Sequence, residues 1–186
     1  MDTRTQIIQL GDSLIREKGY NAFSFSDISK ELNIRNASVH YHFPTKTALG
    51  IAVIHHQLNR IEKLQIQTND KNPIEKLKAF MTIYSRANSE NKVCIIGALA
   101  TDLYTVEPAM QTEIKKLAAY ILKWITGILQ EGKKRGLFNF SVPVRTKALL
   151  IIANMLASLQ LTRLTNDNDF RDIKQYVLND LLQKKL

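Results

Sequence analysis

No stretch of this chain keeps up the strict apolar/polar alternation of a half-buried strand. Its four prolines, at 44, 73, 108 and 143, all stand near helix starts, where a missing N–H does least harm. The chain therefore reads as all-α, with no internal repeat or low-complexity segment. Ile7, Leu10 and Leu14, with Ile8 and Ile15 beside them, form the stripe of a first helix that ends at Gly19. Ser24 and Asp27 stand three apart like a capping box with Asp in place of Glu, and Phe23 and Ile28 hold the staple positions around it, so a second, short helix starts there. Ile28 and Leu32 face inward, Asn33 falls where a left-handed turn residue is tolerated, and Ile34 follows as an apolar plug. A third helix, about 36–43, then points Val39 and Phe43 inward beside Ile34.

Two short helices joined by a tight turn and pinned by a few aliphatics make the pattern of a helix-turn-helix, whose second helix enters the DNA major groove. With Val39 and Phe43 turned inward, Asn36, Ala37, Ser38, His40, Tyr41 and His42 are left outside, an aromatic and hydrogen-bonding face suited to phosphates and base edges. His40 and His42, two apart on a helix, point in different directions and make a poor metal chelate. A fourth helix begins with Thr45 as cap and Lys46 in its first turn. A lysine there opposes the helix dipole unless an anion is shared by both, and a DNA phosphate would supply that anion.

Beyond residue 73 the apolar helices lengthen, to about 74–89, 92–104 and 109–135, with "GLFNFSVP" as a connector and 144–165 and 169–185 as the last two. The helix over 144–165 is apolar on nearly all sides, while Phe170, Ile173, Val177 and Leu181 form a one-sided stripe. Together the pair suits a four-helix seam between two copies of the chain. The apolar run from Ala148 to Leu161 is interrupted by Asn154, Ser158 and Gln160 and falls short of the roughly 18 residues a membrane span needs. No signal-peptide pattern opens the chain, and the single cysteine, Cys94, allows no internal disulfide, so a cytoplasmic protein without membrane association is expected. The formal charge of +9 favours a polyanionic partner, yet residues 1–50 carry only +1 of it, so the case for DNA rests on residue placement.

The segment "GYNAFSFSDISKELNIRNASVHYHFPTKTAL", residues 19–49, resembles the DNA-binding domain of TetR-type (TetR/AcrR) transcriptional regulators almost position for position. The small residue Ser38, the run Tyr41-His42-Phe43 and Lys46 all belong to that match. The resemblance is specific over about residues 5–50 and architectural beyond. It implies a three-helix DNA-binding domain over 1–48 and a larger helical ligand-binding and dimerisation domain over 49–186. It also implies a homodimer joined through 144–165 and 169–185, a palindromic double-stranded operator, and release by a small-molecule effector. Carried over by position, Asn36, Ala37, Ser38 and His40 approach base edges, Tyr41, His42 and Lys46 hold the backbone, and Ser26 also reaches DNA. Arg35 stands where many members have a Ser or Thr cap, so either Asn36 caps the third helix or its start is weaker, with Arg35 free to reach a phosphate instead, and Asn33 replaces the usual turn glycine.

Phe80, Tyr84, Met110 and Trp124 are candidates to line an apolar effector cavity, with Asp102 as a counter-charge for a cationic ligand; helical spacing fits plain core packing as well. Cys94 is either a small buried hydrophobe or, in an alternative reading, the thiol of an electrophile-sensing repressor. No Gly-rich phosphate loop, nucleophile elbow or His/Glu metal spacing occurs, so no catalytic residue, metal or cofactor is expected and the chain reads as a non-enzyme.

Overall fold

Local chemistry sets most of the boundaries in the computed structural model, which describes residues 2–182. In chain order the helices are α1 (Thr3–Lys18), α2 (Phe25–Glu31), α3 (Asn36–His42), α4 (Lys46–Gln67), α5 (Pro73–Ser89), α6 (Ile95–Thr101), α7 (Pro108–Lys134), α8 (Val144–Leu161) and α9 (Asp167–Leu182), with a 3-10 turn at Tyr20–Ala22. No strand occurs among the described residues, and the all-α architecture read from the sequence is the one observed. Asp2 caps α1 by accepting from the Thr5 N–H, and Ser24 with Asp27 forms the expected capping box of α2. Asn72 and Glu75 form a second such box at α5, where Pro73 opens the helix. Of the helix expected over 169–185, residues 183–185 lie outside the described residues.

The chain divides into two compact units that are not successive stretches of sequence. One comprises residues up to Ile61 together with Cys94–Leu117, the other Glu62–Val93 together with residues from Ala118 onward. In the first, α1 packs against α2, α3 and α6 around a core that includes Ile7, Ile15, Ile28, Val39, Leu49 and Leu99. In the second, α8 packs on α5 and α9, with Leu77, Phe80, Leu129, Ile151, Met155 and Leu181 inside. The helix expected over 92–104 is shorter, Ile95–Thr101. The chain leaves α5 through Asn91, which takes a left-handed φ of 51° while the Lys92 N–H returns to the Ala87 carbonyl, and this turn uses up the residues before Cys94.

Helix α8 starts at Val144, as expected, and ends at Leu161, four residues before the expected end. Its 18 residues have a mean hydropathy of 1.3, long and apolar enough on those counts to cross a membrane. Only 28% of it is buried within the chain. Its buried side is Ala148, Ile151, Met155, Ser158 and Leu159, and Leu149, Leu150, Ala153, Ala157 and Leu161 form an exposed stripe at helical spacing on the other. Most of the apolar stripe of α9 is spent inside the unit instead, since Phe170, Val177 and Leu181 are buried and Ile173 alone is half-buried.

Candidate nucleic-acid interface

The turn between α2 and α3 shows how an asparagine does the work of glycine. Asn33 takes φ 51°, the Ile34 N–H bonds to the Ser29 carbonyl at 2.9 Å, and the Asn33 N–H bonds to the Lys30 carbonyl at 3.2 Å. These two bonds close a Schellman motif, which satisfies the carbonyls at the end of α2 and swings the chain into α3. Arg35 precedes α3 in extended conformation and supplies no side-chain cap, so Asn36 is the first helical residue and its amide is left outward. Val39 and Phe43 are buried, while Asn36, Ala37, His40 and Tyr41 are exposed and Ser38 and His42 half-buried.

Aromatic packing fixes part of this ridge. The His40 ring meets buried Phe25 edge-on at 4.9 Å, and Tyr41, 84% exposed, meets His42 at 5.2 Å. Ser26, at the start of α2, and Arg35, in the turn before α3, are both exposed. Lys46 has a different environment from the one its sequence position suggests. Its ammonium donates to the Phe23 carbonyl and stands 4.3 Å and 4.8 Å from the ring centroids of Phe23 and Tyr20. Burial lowers its pKa from the ordinary lysine value, with Asp102 and Asp27 acting in the opposite sense. The partner that offsets the helix dipole at Lys46 is therefore a backbone carbonyl and two ring faces of the same chain.

One cation escaped the sequence reading. Arg4, exposed on the first turn of α1, lays its guanidinium 5.1 Å from the centroid of the Phe43 ring, beside the C-terminal end of α3, and has no ion pair among the described residues. Only the packing of α1 against α3 brings it there; its one signal in the sequence is a cation placed against the dipole of a helix start.

Residues 7–53 match the family model described as bacterial regulatory proteins, tetR family, and residues 73–173 match the tetracyclin repressor-like C-terminal domain. A solved structure of a TetR transcriptional regulator from Legionella pneumophila superposes with a TM-score of 0.87 at 30% identity, covering 97% of this chain and 98% of that one. The chain belongs to the TetR family. As a TetR-family regulator it carries the helix-turn-helix as its DNA-binding element. Among its relatives, the repressor NemR of Escherichia coli K12 is 20% identical over 169 residues, 86% of this chain and 83% of that protein. The IcaR negative regulator of the icaADBC biofilm operon in Staphylococcus epidermidis is 27% identical over 113 residues, and the match spans 60% of this chain and 59% of IcaR.

The six residues read as effector-binding candidates fall into the two units of this TetR-family chain. Phe80, Tyr84 and Trp124 belong to the second and are buried as one aromatic cluster, Phe80 meeting Tyr84 at 5.2 Å and Trp124 at 5.8 Å, both edge-on. Cys94, Asp102 and Met110 belong to the first. The Asp102 carboxylate accepts from the Tyr20 N–H at 2.9 Å and the Asn21 amide at 3.0 Å, and so ties the end of α6 to the turn after α1. Met110 is fully buried, and its Sδ and Cε atoms would each stand 2.7 Å from a Cβ placed on Gly50. Cys94 is half-buried at the start of α6.

Proposed function

We propose that the protein is a homodimeric transcriptional repressor that binds a palindromic operator and is released by a small molecule. Residues 1–48 would act as the reading head and 49–186 as the effector and dimerisation part. The observation that carries this reading is the exposed ridge of Asn36, Ala37, His40 and Tyr41, held by buried Phe25, Val39 and Phe43 within a TetR-family helix-turn-helix. Asn36, Ala37, Ser38 and His40 are the residues for base edges. Ser26, Arg35, Tyr41, His42 and Arg4 are those for the backbone, and Lys46 acts from inside by bracing the chain before α2. The exposed Leu/Ala stripe of α8, with Tyr176 and Ile173 of α9 alongside, is the face offered to a second copy, which gives that apolar surface a protein partner in the cytoplasm rather than lipid. Effector and DNA would each favour a different spacing of the two heads, which must enter major grooves about one helical turn apart. No catalytic role is assigned. The direct test is fluorescence anisotropy on the intergenic DNA beside the gene: saturable, salt-sensitive binding to one palindromic fragment is expected, and affinity no better than for unrelated duplex would sink the proposal.

The division between Arg4 and Lys46 has its own signature. Arg4→Ala should weaken binding to all sequences and flatten the logarithmic salt dependence by about one unit per subunit, at little cost in stability. Lys46→Ala should leave the salt slope nearly unchanged while lowering stability by about 1–2 kcal/mol, because a charged hydrogen bond and two ring contacts are lost. A salt slope that responds to Lys46 and not to Arg4 would reverse the two roles.

A thiol-sensing repressor acting through Cys94 is the alternative, and a single substitution separates the two. On the small-molecule reading oxidants leave operator affinity unchanged in the wild type as in Cys94→Ser; an oxidant-induced loss of affinity that Cys94→Ser abolishes would favour the thiol sensor, since Cys94 is the only cysteine and any thiol response must pass through it.

A further inference from the structure

Three of the helical glycines have a visible packing reason. A Cβ on Gly11, Gly50 or Gly132 would stand within 3.4 Å of a neighbouring side chain, whereas one on Gly127 would meet nothing within 4 Å. Gly127 lies in the interior of α7, where alanine would make a more stable helix, and its exposed backbone lines a groove of about 330 Å³ in the second unit. The groove runs between the last turn of α4, the first turn of α5 and the middle of α7, and its volume falls in the range of small-molecule sites. Its apolar wall is Trp124, Ile128 and the Tyr120 ring. The Tyr120 hydroxyl donates to Gln65, which leaves the ring face to the groove.

The charges of the lining are unequally satisfied. Glu131 is matched twice, by Lys76 and by Arg135, each at 2.9 Å, and the Lys76 hydrogen bond holds its carboxyl below the usual range. Lys123, exposed on the same side of α7 one turn before Gly127, has no ion pair among the described residues. A glycine that opens a helix backbone to a groove, an apolar wall beside it and one unmatched cation at its rim together describe the imprint of a flat apolar body with one negative end.

We propose that this groove binds a small apolar carboxylic acid, its hydrocarbon part laid over the Gly127 backbone against Trp124 and its carboxylate paired with Lys123. The acid is the class of effector for the regulator proposed above, and only this regulatory consequence rests on that reading. Binding itself is measured without DNA.

Trp124 is the only tryptophan of the chain, so its fluorescence reports the groove directly. The full-length protein is titrated with 4-phenylbutyrate, 4-phenylbutan-1-ol and 4-phenylbutylamine. The acid is expected to saturate and to bind at least about 10-fold more tightly than the alcohol or the amine, a preference that Lys123→Gln abolishes. Gly127→Ala should raise Tm by about 2–4 °C, and Gly127→Leu should remove acid binding without lowering Tm, because the added side chain fills space that is empty. Equal affinities for the three probes, no saturable change up to millimolar acid, or undiminished acid binding by Gly127→Leu would each overturn the proposal. Acid binding by a protein whose operator affinity does not change supports the groove and counts against the effector-released repressor.

Discussion

Leu150→Glu is expected to hold the chain monomeric at micromolar concentration and to lower operator affinity by about 100-fold or more, with helical content unchanged. Leu149 and Leu150 are each 46% exposed on the outer stripe of α8, where Ala153 and Ala157 would let a second helix approach closely. A two-fold interface presents the same patch from both sides, so one substitution places two carboxylates near the axis and leaves them without cations. The reading heads would still fold, because Leu150 belongs to the other unit, but each would then bind its half-site alone. Sedimentation equilibrium and anisotropy on the same preparation check both halves of the expectation. A dimer of wild-type affinity would move the seam to another face.

Gly132→Ala, the conservative change that does best in most helices, is expected to cost about 1–3 kcal/mol here, a fall in Tm of roughly 2–12 °C for a chain of this length. A Cβ on Gly132 would stand 2.0 Å and 2.3 Å from two carbons of the Phe138 ring, which is buried and has no flexible end to move aside. The turn that brings Phe138 there is built on the same residue. The Leu137 N–H bonds to the Gly132 carbonyl at 2.9 Å, Gly136 takes φ 68°, and the Asn139 N–H beyond reaches the Leu181 carbonyl at 2.8 Å. Circular-dichroism melts of Gly132→Ala beside Gly127→Ala make an internal control, since the two alanines are expected to shift Tm in opposite directions within one helix.

Much of the reading head was legible in the sequence because its determinants are local. The capping box at Ser24 and Asp27, the left-handed Asn33 and the inward pair Val39 and Phe43 each depend on residues within a few positions of one another. The resemblance of residues 19–49 to the TetR pattern rests on the same spacings. Lys46 and Arg4 were not legible, one because its stem is long enough to carry the ammonium back to Phe23, the other because its ring partner lies on a different helix. The aromatic effector candidates illustrate the same limit: helical spacing marks Phe80, Tyr84 and Trp124 as inward-facing but cannot tell a packed cluster from a cavity wall.

The sequence by itself determined the order of the helices, the caps of α2 and α4 and the outward ridge of α3, since period, capping chemistry and turn residues act between neighbours in the chain. Only the tertiary structure decided that 94–117 packs with the N-terminal helices, that Phe138 and Phe140 of the "GLFNFSVP" connector are buried, Phe138 against Gly132, and that most of the apolar stripe of α9 is spent inside while that of α8 is left outside. Those outcomes depend on which apolar surfaces meet across long separations in sequence. An apolar stripe shows that a face will be buried, and only the packed chain shows against what.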